Sequence, residues 1–385
     1  PLRMPWGPPD WRTPGGAGQR AKGDFSFMAM TGAMSAAVSG LKAHMDALNV
    51  VGNNVANVNT YGYKAGRVTF AESIYSTQSA GSGATATMGG TNPRQTGYGC
   101  SVGTIDLDMS SQSLALTGLA TDCAIQGDGF FIVGPINDNI LNTDQVKGDL
   151  SLSRVGNFEF RNGYLVDGRG NVVYGFVTVN QTAGTAGTTA AETPSTQLVP
   201  IKLPYKNSNG QTVYPGQQAG DKNVPPTIVA AGTATAADNE CTGEFIEYEN
   251  LSIDENGKII CTNSETGDPV VVGYIALAKV DNPNGLLHTD GPYYSAGDAA
   301  GDIALCTPNS SVTGPLNNVA PNTPGAPSLL SNTETNLMTG FLEDSGTDLA
   351  TEFSNMIIYQ RGYQANTRIV TVTDTMLEEL VNMKR

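Results

Sequence analysis

The chain is poor in charge and poor in metal-ligating side chains. Only 15% of its 385 residues are charged, and it has two histidines, His44 and His288. Its five cysteines, Cys100, Cys123, Cys241, Cys261 and Cys306, are scattered with no close pair and no metal-type spacing. An odd, dispersed set is a poor disulfide framework, so these thiols are expected to act as small apolar side chains. No zinc site built from Cys and His is expected. No run of apolar residues is long enough to span a bilayer as a helix, so no membrane insertion is expected. Positive charge is also scarce: the net charge of −15 repels phosphates, which argues against nucleic acid as a partner.

Catalytic constellations are missing as well. A hydrolytic triad would need His44 or His288. The first falls inside an amphipathic helical pattern, and the second follows the turn Asn282-Pro283-Asn284-Gly285. Asp254-Glu255-Asn256-Gly257 lacks the alternating ligands and final glutamate of a calcium loop and reads as a hairpin turn. Gly127-Asp128-Gly129 precedes a strand instead of opening a helix, so it makes no phosphate cradle. Carboxylates are plentiful but scattered. No catalytic, cofactor-binding or metal residue is assigned, and no cofactor is expected.

What is abundant is Gly (46 residues), Pro (21), Thr, Ser, Asn and Ala. That mixture suits short strands joined by many turns. Period-two segments bounded by turn residues occur at Phe130-Phe131-Ile132-Val133, Asn157-Phe158-Glu159-Phe160, Tyr164-Leu165-Val166, Val172-Val173-Tyr174, Leu251-Ser252-Ile253, Lys258-Ile259-Ile260 and Val270 to Ala278. Arg161-Asn162-Gly163 supplies hairpin turn chemistry between two of them.

Both ends of the chain switch to helical spacing. Met34, Val38, Leu41, Met45, Leu48 and Val55 recur at alternating four- and three-residue steps, with Gly52 in the one missing place and Ala and Ser alongside. This is the seam of an amphipathic helix, with Thr31 as its expected N-cap. At the other end Leu349, Phe353, Met356, Tyr363, Val370, Leu377 and Val381 share one stripe, capped by Thr347 or Asp348. Such helices gain stability from packing more than from propensity. They therefore suggest an antiparallel pair or a bundle completed by other copies, and these thirteen residues are the candidate assembly interface.

The expected fold is a mainly β body with terminal α-helices, in which an antiparallel, coiled-coil-like pair accompanies a strand-rich outer domain. The expected divisions are a structureless extension over 1–29, an N-terminal assembly helix over 30–75, an extended connector over 76–115, a β-rich domain over 116–300 with an insertion at about 177–250, a connector over 301–334 and a C-terminal helix over 335–385. The first 27 residues are rich in Pro, Gly and Arg and lack the apolar core of a secretory signal. They read as lying upstream of three candidate starts, Met28, Met30 and Met34.

Several motifs are recognisable as well. Ser35 to Leu41, then Asn49-Val50-Val51-Gly52-Asn53-Asn54-Val55-Ala56-Asn57-Val58-Asn59-Thr60-Tyr61-Gly62-Tyr63-Lys64, resembles the N-terminal signature of bacterial flagellar rod and hook proteins. Thr121 to Val133 resembles the start of their β domain, with Cys123 where an aliphatic residue is usual. Asp348 to Phe353 and Tyr359-Gln360-Arg361-Gly362-Tyr363-Gln364-Ala365-Asn366 resemble their C-terminal helix. Within the family, Thr60-Tyr61-Gly62-Tyr63 and the chain length favour hook proteins, with distal rod proteins as the alternative. The resemblance implies a structural, non-enzymatic subunit of an extracellular tube that transmits motor torque in motility. It also implies a homopolymer of many copies that meets rod proteins, hook cap and hook–filament junction proteins, and that leaves the cell through the flagellar export apparatus without signal cleavage. A monomeric extracellular adhesin and a polysaccharide-degrading enzyme are the readings from other classes.

Overall fold

The computed structural model describes residues 17–84, 88–137, 141, 143–179, 193–207, 212–213, 241–265, 267–316 and 328–383. They divide into two compact units. One holds the described residues up to Ala56, Gly66–Asp106 and those from Asp348 onward; the other holds Asn57–Ala65 and Leu107–Thr347.

The second unit is a β body. Its principal sheet has 13 strands with antiparallel pairing throughout. The main path runs from Tyr248–Ile253 through Lys258–Asn263, Pro269–Ile275, Val172–Val179, Phe130–Gly134, Ser151–Ser153 and Tyr293–Ala296 to Leu286–His288. Alternation along each strand sends neighbours to opposite faces, and here both faces are covered. Phe131, Val133 and Val173 join one apolar cluster with Phe158, Leu165 and Ile275. Phe130, Ile132, Tyr174 and Phe176 join another with Leu198, Tyr294 and Leu305. Each fully buried side chain of this size contributes about 1.5–3 kcal/mol, which makes the sheet the stable centre of the unit.

Local chemistry sets the hairpin expected at Arg161-Asn162-Gly163. Arg161 pairs with Tyr164, which leaves a two-residue loop. Asn162 has φ of 51° and Gly163 φ of 79°, the two left-handed positions that a type I′ turn requires. Cys123, Cys261 and Cys306 are buried free thiols, and Cys100 is partly covered. Burial pushes the Cys261 thiol up to about 11, so it stays neutral as an apolar filler.

The first unit carries the terminal helices, α1 (Ala17–Ala56) and α3 (Leu349–Asn382), which pack closely; the short α2 (Thr143–Asp149) belongs to the β body. At 40 residues, α1 is roughly 60 Å long. No described helix is long and apolar enough to cross a membrane. The fold is therefore a mainly β body with close-packed terminal helices.

Several boundaries differ from the sequence expectation. Thr31 lies inside α1 instead of capping it, and residues 17–29 continue the helix, because no proline occurs between Gly15 and Ala56 to stop it. Residues 1–16 lie outside the described residues. The expected connector over 76–115 instead forms strands: Tyr75–Ser79 pairs with Arg94–Gly97, and Cys100–Leu107 pairs with Gly66–Glu72. The expected connector over 301–334 holds the sheet strand Ile303–Cys306. Residues 336–343 form two short strands at the front of the expected C-terminal division, and α3 starts at Leu349 with Asp348 as its cap, as its helical stripe leads one to expect. The first of these segments are polar and exposed enough to read as loops, and Asn336–Thr339 and Phe341–Glu343 pair with strands about 200 residues earlier, Cys123–Gln126 and Leu114–Leu116. Part of the insertion is a sheet strand, Thr193–Pro200, whereas 180–192, 208–211 and 214–240 lie outside the described residues.

Two glycines give a paired test. A Cβ on Gly156 would meet the Cys123 carbonyl oxygen at 2.0 Å, whereas a Cβ on the helical Gly148 would meet nothing. Gly156→Ala should destabilise the β body by about 1–3 kcal/mol or more. Gly148→Ala should leave it unchanged or stabilise it by about 0.5–1 kcal/mol. Urea unfolding followed by tryptophan-independent far-ultraviolet dichroism reads both.

Candidate assembly interface

Within the first unit α1 and α3 run antiparallel. Asn54 meets Glu352, the His44 ring lies against Gly362, and Gly40 faces Asn366. The contact depends on small residues. A Cβ on Gly362 would fall 2.6 Å from His44 Nε2, and one on Gly40 would fall 2.7 Å from Asn366 Nδ2. Among the described side chains of α1 the buried positions are Ala37, Gly40, Ala43, Ala47, Val51 and Asn54, a stripe at helical spacing made mostly of Ala and Gly. His44 sits in an aromatic group with Phe70 and Tyr359, at ring-centroid distances of 5.5 and 6.2 Å.

The end of the pair is tied by a polar knot. Asn54 donates to Glu352 Oε1 at 3.0 Å and to the Gly66 carbonyl at 2.8 Å, and its own oxygen accepts from Gly66 N–H at 3.0 Å. One buried amide thus joins the last turn of α1, the start of the strand Gly66–Glu72 and the first turn of α3. Asp348 caps α3: its carboxylate accepts from Ala350 N–H at 3.1 Å and from the Thr351 hydroxyl at 2.6 Å. Those bonds, the hydroxyl first, hold its carboxyl below the usual range.

The large apolar seam named from the sequence lies mostly elsewhere on the helices. Met34, Val38 and Met45 are exposed, Val38 by 50%, and Leu41, Leu48 and Val55 are half-buried. On α3, Leu349, Phe353, Tyr363 and Val381 are exposed, Phe353 by 50% and Val381 by 67%. Met356, Val370 and Leu377 are half-buried and recur at helical spacing with the buried Glu352 and Thr373. Ile357, Ile358, Ile369, Val372, Met376 and Leu380 widen the exposed apolar surface of α3. The two helices therefore meet through Ala, Gly and polar side chains and leave most of their bulky apolar residues to solvent. Sequence reading missed Asn54, Glu352 and the Ala stripe, because a hydrophobic seam was sought among large side chains. The three- and four-residue recurrence of Ala37, Gly40, Ala43 and Ala47 was the signal available.

The other candidates are ordinary. His288 is exposed and its Nδ1 lies 2.8 Å from the Thr289 carbonyl oxygen. Asp254 to Gly257 closes a turn through a 2.9 Å backbone bond and leads into the strand Lys258–Asn263.

Comparison with known proteins matches family models to both ends of the chain. Residues 34–64 match the family described as flagella basal body rod protein, and residues 338–383 match flagellar basal body rod FlgEFG protein C-terminal. The chain is 31% identical over 351 residues to the flagellar basal-body rod protein FlgG of Bacillus subtilis, covering 90% of this chain and 97% of that one. It is 26% identical over 458 residues to the flagellar hook protein FlgE of Borreliella burgdorferi, covering 90% and 98%. With the flagellar hook protein FlgE of Salmonella typhimurium it shares 27% over 448 residues, covering 91% and 99%.

The Asp348 cap predicts a pH dependence. Its depressed carboxyl stabilises the first turn of α3 above the unfolded value of about 3.9, and that contribution is lost as pH falls through the folded value. Hydrogen exchange at Ala350 and Thr351 should accelerate below about pH 4 beyond the intrinsic trend. In Asp348→Ala the same amides should exchange fast at every pH.

Proposed function

The chain belongs to the flagellar basal-body rod and hook family, and from that premise we propose that it is the subunit of the hook, polymerising into the flexible tube between rod and filament. It is a structural protein, and the observation that carries the assembly reading is the bulky apolar surface that α1 and α3 leave uncovered. Helix packing inside one chain satisfies the small-residue stripe only. Val38, Met45 and Phe353 are about half exposed, so burying the rest of each against another copy would contribute about 1 kcal/mol. A head-to-tail contact that does not close into a ring then yields a helical filament.

The hook assignment is supported by the Thr60-Tyr61-Gly62-Tyr63 motif and by hook relatives matched along nearly their whole length. In that setting the partners would be other copies of the chain, the rod, the hook cap, the hook–filament junction proteins and the flagellar export apparatus, at the extracellular hook. A second reading, the distal rod, is favoured by one observation: the rod relative from Bacillus subtilis is matched at 31% identity across 97% of its length.

Val38→Asp and Phe353→Asp should each abolish tube formation seen by electron microscopy. Both positions are half exposed, so the circular dichroism of the free chain should stay near the parent's. Deletion of residues 350–385 should also abolish tubes. Undiminished polymerisation by these variants would overturn the reading.

A further inference from the structure

Lys64 lies fully buried in the β body. The Lys64 and Glu343 side chains are both fully inaccessible, and Lys64 Nζ lies 2.7 Å from Glu343 Oε1. Taking two charges out of water is costly unless their remaining hydrogen-bonding capacity is filled. Here a third segment fills part of it: Lys64 Nζ donates to the Ser110 carbonyl at 2.7 Å and Gln112 N–H donates to Glu343 Oε1 at 3.0 Å, while the buried Glu343 Oε2 accepts no hydrogen bond. Arg154 adds a second buried cation, its Nη1 3.7 Å from Glu343 Oε2. Its own guanidinium donates to the Gly127 carbonyl at 3.0 Å and stands over the Phe130 ring at 5.3 Å, which anchors the group to the central sheet.

Backbone bonds follow the same three segments. Gly62 N–H donates to the Glu343 carbonyl at 2.8 Å, Gly346 N–H to the Tyr63 carbonyl at 2.9 Å, Asp344 N–H to the Ser113 carbonyl at 2.9 Å and Asp108 N–H to the Ala65 carbonyl at 2.9 Å. Segments 57–65, 107–113 and 343–347 are those at which the chain passes between this unit and the other. Every covalent connection of the β body thus runs into one buried ion pair. Desolvation lowers the Lys64 pKa and Glu343 opposes that, the balance expected of a cation kept by its partner.

We propose that Lys64, Glu343 and Arg154 form a clasp that binds together all three segments connecting the β body to the helical unit, so that its rupture loosens them as one. The β core does not depend on it: the sheet clusters around Phe131 and Ile132 are apolar and complete without these groups. In a polymer, which rests on the flagellar reading, load passing along the chain between helices and body would cross this clasp. The clasp itself is testable on the free chain, so its failure and the failure of the assembly reading are separate results.

Hydrogen exchange on the full-length chain reads the Gly62, Asp344 and Gly346 amides. Lys64→Met and Glu343→Gln should each accelerate all three by about tenfold or more, while amides of the strand Phe130–Gly134 keep the parent rate. The double variant should be no faster than about the faster single one, because the pair acts as a unit. Lys206→Met, which breaks the partly exposed Lys206–Glu265 pair, serves as control and should leave the three amides alone. Parent-like rates in the single variants, equal acceleration in the core strand, or multiplied effects in the double would each overturn the proposal. If Lys64→Met does not fold, Lys64→Gln keeps a donor to Ser110 and is held to the same tenfold acceleration, and parent-like rates there would also overturn it.

Discussion

A helix in water can present only so much surface to one neighbour, and which stripe it presents decides what is left for others. In α1 the stripe turned inward is Ala37, Gly40, Ala43, Ala47, Val51 and Asn54. Small residues let two backbones approach closely but remove little apolar area from water, so the helix pair is geometrically defined and energetically thin. Met34, Val38 and Met45 stay outside, as do Phe353, Ile357, Ile358 and Val381 on α3. Exposed bulky apolar side chains at helical spacing are the kind of surface that proteins use to meet partners. The proposed assembly of like chains would cover these faces, and the family comparison supplies its setting.

The two units rely on different physics. The β body has two apolar clusters, one on each face of its sheet, and needs no help from other copies to hold its strands. The helical unit is held by register-setting contacts: the notches at Gly40 and Gly362, the Asn54–Glu352 bond and the Asp348 cap. Polar groups were placed where the chain changes from one regime to the other. Lys64 and Glu343 are the clearest case, because an apolar pair of the same size could not tie the backbone of three separate segments. Both residues, like Asn54 and Glu352, fall within the segments matched by the two flagellar family models.

Much of this was legible in the sequence. Period-two patterning located the strands around Phe130, Tyr164, Val172 and Lys258, and Asn162-Gly163 announced its turn, because local backbone preference and burial agree at those positions. Helical spacing found both terminal helices, and the Asn-rich and Tyr-Gln-Arg motifs pointed to the family. Strands at 75–79, 94–97 and 303–306 were not legible. The first two pair with each other and are polar and almost wholly exposed, so no buried face gives them a period-two pattern; the third is a short apolar run joined to Leu277–Val280. The large apolar stripes were legible, and they left open a contact between the two helices or one with other copies; the structure keeps most of them out of the contact between α1 and α3. Large side chains dominate any hydrophobic pattern, whereas the internal contact is written in Ala, Gly and Asn, which carry almost no such signal. The Lys64–Glu343 pair spans most of the chain and has no local signature at all.

The central claim is that the outward apolar faces of α1 and α3 become buried between copies, and four methionines report on it directly. Met34, Met45, Met376 and Met383 are all exposed in the single chain. Oxidative footprinting read by mass spectrometry, on free chain and on purified tubes, measures their accessibility in each state. The account predicts rapid oxidation of all four in the free chain and strong protection of Met34, Met45 and Met376 in the tube. Equal oxidation of these three in both states would contradict it.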